Sequence, residues 1–264
     1  MKVLITGANG LLGQKIVEFF ITDGIDFMAT SSGGNRNPNC PDSDYSEMDI
    51  TNEQNVESVI NRCAPTHIIH TAAITNVDYC ELNATECEHV NVTATKLLAD
   101  ICHKRNIHFQ FLSTDFVFDG VKGNYAEEDP INPIGVYGRS KAEAEKYLLD
   151  GEFTNWSIVR TIIVYGKGSN LSRTNLIIWA KESLEKGLEM KIIDDQFRAP
   201  TFVDDLAIAC LTILRKNKTG IFNIAGPATF SIYEIVSKIA MHFGYSISNA
   251  KRISSKTLNQ PAKR

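Results

Sequence analysis

The chain has no Cys-x-x-Cys pair; its six cysteines, Cys40, Cys63, Cys80, Cys87, Cys102 and Cys210, are scattered. That spacing argues against a zinc site or a secreted disulfide framework, so reduced, buried thiols and no metal are expected. No apolar run reaches the roughly 18–20 residues that a membrane-spanning helix needs. The start, Met1 into Lys2-Val3-Leu4-Ile5-Thr6, breaks at Gly7, too early for a signal peptide. A cytoplasmic protein is therefore expected, and the glycosylation patterns at Asn83-Ala84-Thr85 and Asn91-Val92-Thr93 are read as coincidence. Net charge is −4, with no concentrated basic stripe, which speaks against a nucleic-acid partner. Lys251, Arg252, Lys256, Lys263 and Arg264 make only the last segment basic, read here as a solvated, frayed tail. Neither an internal repeat nor a low-complexity linker interrupts the chain.

What is present is an ordinary globular composition, 43% hydrophobic and 22% charged over 264 residues. Short apolar runs alternate with longer helical patterns. Strands are expected at Lys2–Thr6, Asp26–Thr30, Thr66–Ala72, Ile107–Ser113 and Trp156–Val164. Helices are expected at Leu11–Asp23, Asn52–Arg62, Ala84–Lys104 and Val136–Leu149, the second opened by a capping box of Thr51 with Gln54. This alternation predicts an α/β fold: a Rossmann-type, doubly wound parallel sheet covered on both faces. Beyond Tyr165 the rhythm loosens: helices at Leu176–Lys186 and Val203–Lys216, strands at Met190–Ile193 and Ile221–Ala225. A second capping box, Ser231 with Glu234, opens a helix that Gly244 ends. Residues 1–165 are assigned to the nucleotide-binding domain, to which 200–225 return; 166–199 and 226–264 form a small substrate-binding lobe.

Thr6-Gly7-Ala8-Asn9-Gly10-Leu11-Leu12-Gly13 joins the first strand to the first helix, with Gly7, Gly10 and Gly13 spaced G-x-x-G-x-x-G. Glycine there allows a tight turn, close approach to a pyrophosphate and helix–strand packing without an intervening side chain. The helix N-terminus adds free N–H groups and the positive end of its dipole. A nicotinamide dinucleotide is the implied cofactor. The second strand ends Ala29-Thr30-Ser31-Ser32 without the carboxylate that would hold a ribose 2′-hydroxyl, and Arg36 follows within reach of a 2′-phosphate. The reading is NADP(H) in preference to NAD(H), with NAD(H) left open. Asp49, with Ile50, is a separate candidate to meet the adenine, or else a simple helix-start charge.

Tyr137-Gly138-Arg139-Ser140-Lys141 places Tyr137 and Lys141 on one face at the start of a helix. A lysine ammonium one turn away favours the phenolate, so Tyr137 reads as the acid that protonates a carbonyl oxygen while hydride reaches carbon. Thr114, at the end of a strand where sheet carboxyl ends face the crevice, reads as the hydroxyl that orients that carbonyl, preferred over Ser113. His67 and His70 read as core or strand-end histidines, and Asp194-Asp195 and Asp204-Asp205 as caps or solvated loops. Arg198 is placed either against a substrate pyrophosphate or in a structural salt bridge.

These residues resemble the extended short-chain dehydrogenase/reductases, and within them the dTDP-4-dehydrorhamnose reductase family of dTDP-rhamnose biosynthesis. The resemblance runs through Thr6–Gly13, Thr71-Ala72-Ala73 to Asp78, Ser113–Gly120, Glu128-Asp129-Pro130, Tyr137–Lys141, Arg160-Thr161, Ala199-Pro200-Thr201 and Asp204–Ala207. It implies NAD(P)H-dependent reduction of the C4 keto group of a nucleotide-linked 6-deoxyhexose, with Thr114, Tyr137 and Lys141 catalytic. It also implies that Ala72 and Ala73 line the cofactor and that Val77 and Asp78 border the sugar nucleotide. Two positions depart from the family: Phe116 stands where tyrosine is usual and Ile163 where tryptophan is common, removing a hydroxyl and a ring from the sugar's surroundings. Family members also run somewhat past the equivalent of Arg264. Two other readings stay open: an epimerase or dehydratase that retains NAD, and a non-catalytic nucleotide-binding subunit like the beta subunit of methionine adenosyltransferase. A homodimer is compatible with all three.

Overall fold

The expected alternation of strands and helices takes shape, in a computed structural model that describes residues 1–257, as a seven-stranded parallel sheet. Its strands are β1 (Lys2–Thr6), β2 (Asp26–Ser31), β3 (Tyr45–Glu47), β4 (His67–His70), β5 (His108–Thr114), β6 (Trp156–Thr161) and, after four short outlying strands, β11 (Gly220–Ile224). The order across the sheet is β11-β6-β5-β4-β1-β2-β3, so the crossover direction reverses beside β1 and leaves a crevice at the strand carboxyl ends. β5 is buried along its whole length, as a central strand covered on both faces should be.

One face is covered by α2 (Glu53–Cys63), α5 (Ala94–Arg105) and α6 (Val136–Asp150), whose apolar stripes meet Leu4, Ile68, Phe109, Phe111 and Ile158. The other is covered by α1 (Leu11–Thr22) and α8 (Val203–Arg215), which pack Ile16, Val17 and Phe20 with Leu206, Leu211 and Leu214 on Val3, Ile5 and Ile69. Each such side chain, fully buried, stabilises the fold by roughly 1.5–3 kcal/mol. A separate apolar cluster joins α7 (Leu176–Glu185) and α9 (Ile232–Phe243) to β8 (Met190–Ile193) and β13 (Ala250–Ile253). The Ser231–Glu234 capping box opens α9 as expected, and Gly244, at φ 70°, ends it.

Several expectations change. The α2 cap is Asn52, which accepts the Asn55 N–H, not Thr51; the Thr51 hydroxyl is drawn to the Asp49 carboxylate instead. The helix expected over Ala84–Lys104 is α4 (Ala84–Glu88), a π-helical turn (His89–Thr93) and α5. Before it lies an unanticipated helix, α3 (Val77–Leu82), capped by Asn76 and too short to show a periodicity. The strand expected over Trp156–Val164 breaks after Thr161. Ile163 sits at φ 34°, costly for a β-branched residue, and its carbonyl accepts the Thr201 N–H. The basic tail is ordered where it is described. Lys251 and Arg252 lie in β13, with the Arg252 guanidinium 4.2 Å from the Tyr233 ring centroid and 3.2 Å from Asp194. Lys263 and Arg264 lie outside the described residues. Among those described, no helix is long and apolar enough to cross a membrane.

Candidate active site

The turn from β1 into α1 shows why glycine is needed at two positions. A Cβ on Gly13 would lie 2.4 Å from the Gly7 carbonyl oxygen, and one on Gly7 would lie 2.7 Å from the Ala72 nitrogen. Gly7 also has φ 72°. Gly10 caps α1 without any side-chain acceptor, so the first N–H groups of that helix are left for a ligand. This cradle fits a dinucleotide's pyrophosphate by shape and by the chemistry of its donors. Asn9 lines the crevice and also braces the neighbouring loop. Its amide nitrogen donates to the Gly34 carbonyl (3.0 Å) and its oxygen accepts the Arg36 N–H (2.9 Å). Ser31 Oγ accepts the Asn9 N–H at 3.1 Å. Asn170 donates to the Arg36 carbonyl from the far side (3.1 Å). The loop that carries Arg36 is thus held by its backbone, and Arg36 lines the crevice. Asp49 spends one oxygen on Thr51, whose N–H and hydroxyl lie at 2.9 and 2.7 Å.

At the carboxyl end of β5, Thr114 turns the chain into a 3-10 turn (Asp115–Val117), accepting the Phe116 N–H and donating to Asp115 Oδ1 at 3.1 Å. The start of α6 packs directly on that turn. A Cβ on Gly138 would lie 2.2 Å from the Phe116 carbonyl oxygen, so only glycine lets Tyr137 come up beside Thr114. Tyr137 meets the Phe116 ring edge-on, with centroids 5.7 Å apart. Lys141, 3% exposed, has its Nζ 4.0 Å from the Phe111 ring centroid. One turn on, Glu145 is fully buried against Arg160 of β6, at 2.6 Å.

Burial dominates the electrostatics. It pushes the Tyr137 phenol above its ordinary value, with the Asp115 charge adding to this and the Thr114 hydroxyl opposing it. The expectation that Lys141 would draw the phenol down is therefore outweighed: Tyr137 is held as the acid, the form that a carbonyl reduction consumes. Desolvation lowers Lys141 to about 7, against the pull of Glu145. Asp115 is raised to about 6, again by desolvation, with Arg198 opposing. His70 is a core residue, as expected. Its ring nitrogens meet Thr6 Oγ1 (2.7 Å) and Thr95 Oγ1 (3.1 Å), and burial lowers it to about 3.

Of the candidate catalytic, cofactor-binding and substrate residues, all but Asp78 and Arg198 line one crevice of about 850 Å3. Asp78 sits in the first turn of α3, whose Val77 does reach the crevice. Arg198, on the two-residue strand β9 (Phe197–Arg198), stands at the mouth, 5.9 Å from the Phe116 ring centroid. Ile163 lines the crevice from the strained turn after β6.

Sequence reasoning missed three contributors. Residues 171–176 lie across the crevice, although nothing in their composition marks them. Asn91 projects from the π-helical turn to pin the Ile74 backbone (2.8 and 3.0 Å) and Ser140 Oγ (3.1 Å), tying the Ala72–Ile74 wall to α6. A π-turn is often found at such sites, but it has no readable period in sequence. The third is Asp115, which lines the crevice beside Thr114. All six cysteines are free and buried.

The comparisons with known proteins agree with this fold. A dTDP-4-dehydrorhamnose reductase from Aggregatibacter actinomycetemcomitans is 34% identical over 247 residues, 90% of this chain and 78% of that protein. The methionine adenosyltransferase 2 subunit beta of Danio rerio is 29% identical over 94% of this chain and 76% of its own. The crystal structure of the Bacillus anthracis dTDP-4-dehydrorhamnose reductase in complex with NADP superposes with a TM-score of 0.87 at 26% identity, covering 100% of this chain and 87% of that one. The family described as RmlD substrate binding domain matches residues 1–264, and the chain belongs to that family.

Proposed function

We propose that this protein is an NADPH-dependent reductase of the C4 keto group of a nucleotide-linked 6-deoxyhexose. The observation that carries the reading is the convergence of Thr114, Tyr137 and Lys141 at the end of β5, in the crevice that begins at the α1 N-terminus. The reduced nicotinamide supplies the hydride. Gly7, Gly10 and Gly13 take the pyrophosphate, Ala72 and Ala73 line the path to the nicotinamide, and Arg36 takes the 2′-phosphate. Lys141 holds the nicotinamide ribose, Thr114 orients the substrate carbonyl, and Tyr137 gives its proton to the carbonyl oxygen. The lobe built from residues 166–199 and 226–264 holds the sugar nucleotide, with Val77, Phe116, Ile163 and Arg198 nearest the sugar.

Phe116 in place of a second acid beside Asp115 speaks against a dehydratase. The intact trio speaks for catalysis over a purely nucleotide-binding role. The test is NADPH oxidation with dTDP-4-keto-6-deoxymannose, wild type beside Tyr137→Phe. The expected result is turnover that the variant loses by about 100- to 10,000-fold, the usual contribution of a positioned proton donor. No turnover across several 4-ketosugars would overturn the reading, and co-purification of a partner protein would then favour the regulatory-subunit role.

A further inference from the structure

A threonine hydroxyl has one proton to donate. In the structure that proton is directed to Asp115 Oδ1, at 3.1 Å, while the oxygen accepts the Phe116 N–H at 3.3 Å and faces the Tyr137 phenol. A Thr114 that orients a substrate carbonyl must donate to it instead. The carboxylate of Asp115 and the substrate therefore compete for the same proton, and protonation of Asp115 releases it, the acid donating to Thr114 in turn.

We propose that Asp115 is the positioning residue of this site: through Thr114 it sets the direction of the Tyr137–Thr114–Asp115 hydrogen-bond chain and returns to Tyr137 the proton spent on the product. This rests on the reductase reading. With Asp115 ionised, the chain runs outward, Tyr137 to Thr114 to Asp115, and Thr114 has nothing to offer the carbonyl. With Asp115 protonated, Asp115 donates to Thr114, and the Thr114 proton is free for the carbonyl and, once Tyr137 has given up its own proton, for the phenolate. During turnover the Tyr137 O–H bond breaks as an O–H bond forms on the former carbonyl oxygen. The Thr114 proton then moves to the phenolate as the Asp115 proton moves to Thr114. Asp115 is left as a carboxylate and regains its proton from water at the crevice mouth, so the proton balance closes without another reactant.

The surroundings of Asp115 suit both forms. Burial favours the acid, and the Arg198 guanidinium, reaching in from β9, offsets the charge of the carboxylate. Among the described residues, further titratable groups on this side are Tyr137 on α6 and, behind it, Cys80 on α3 and Cys87 on α4.

Two measurements test the proposal. The first is the pH profile of ketosugar reduction by wild type, Asp115→Asn and Asp115→Glu. The wild type and the Glu variant should lose rate as pH rises through the carboxyl's titration. The Asn variant, which can donate to Thr114 but cannot relay a proton, should be slower and lack that limb; a limb unchanged in Asp115→Asn overturns the proposal. The second needs no turnover: the pH titration of the Asp115 carboxyl carbon by 13C NMR in wild type and Thr114→Val. Loss of the Thr114 donor should raise the midpoint by roughly half a unit or more, since a hydrogen bond to the charged form favours it. A midpoint unmoved in Thr114→Val overturns the chain. If the wild type reduces no ketosugar, the reductase reading fails by itself, and the titration still decides whether the chain exists.

Discussion

Glu145 and Arg160 form a bidentate ion pair in the core, with the guanidinium Nε 3.0 and 3.2 Å from the two carboxylate oxygens and Nη2 2.6 Å from one of them. The pair joins α6, the helix that carries Tyr137 and Lys141, to β6, and Arg160 also donates to the Glu127 carbonyl at 3.2 Å. Both charges are removed from water, so each depends on the other. Glu145→Ala or Arg160→Ala should each lower stability by about 3–5 kcal/mol, because either leaves a buried charge alone. Urea unfolding checks this; a loss under about 1 kcal/mol, no more than an exposed pair contributes, would contradict it.

Lys141 makes a prediction of the opposite sign. Its folded-state value is lowered from 10.5 to about 7 by burial. Between those values the unfolded chain binds the proton and the folded one does not, so the group destabilises the fold. The penalty is fully present below pH 7 and is relieved as pH rises towards 10.5. Lys141→Met should therefore be more stable than wild type at pH 7, by a few kcal/mol. The gain should shrink at pH 10 while turnover is lost at both. A gain independent of pH would show that the lysine is not desolvated as described.

Arg36 should decide between the two nicotinamide cofactors. On the proposed role, Arg36→Ala should remove a charge-assisted partner of the 2′-phosphate, worth about 1.5–3 kcal/mol, or roughly 10- to 150-fold in affinity. Fluorescence titration should show that loss for NADPH and little change for NADH. Asn9→Ala, which releases the Gly34 and Arg36 backbone, should erode the same preference less steeply. Equal losses for both cofactors would assign Arg36 a structural role.

Gly138→Ala tests the packing of α6 on the turn after β5. The new methyl would meet the Phe116 carbonyl oxygen at 2.2 Å, a backbone atom that cannot swing aside. The expected outcome is a stability loss of about 1–3 kcal/mol and a fall in turnover, since Tyr137 must move away from Thr114. Ordinary turnover with a lowered melting temperature would separate the packing from the chemistry.

Much of this was legible before folding was considered. Gly7, Gly10 and Gly13 declare a strand–helix junction because their function is local, and the Tyr137–Lys141 spacing places both on one helical face for the same reason. The apolar runs of β1, β4, β5 and β6 and the Ser231–Glu234 cap were likewise written in short stretches of chain. What the sequence by itself determined, then, is whatever a few consecutive residues dictate: the order of elements, the glycine-rich turn, the family and the shared helical face of Tyr137 and Lys141.

Tertiary structure decided the rest, because those features depend on residues far apart in the chain. Asn91 reaches the Ile74 backbone through a π-turn that packing imposes on an otherwise regular helical pattern. Asn52 takes the capping role expected of Thr51, Ile163 is held in a strained turn by Thr201, and Asn9 becomes a brace for the Arg36 loop. Burial, which no stretch of sequence states, reverses the expected effect on the Tyr137 phenol. The same desolvation brings Asp115 and Lys141 into the range where a proton can be gained or lost near neutral pH.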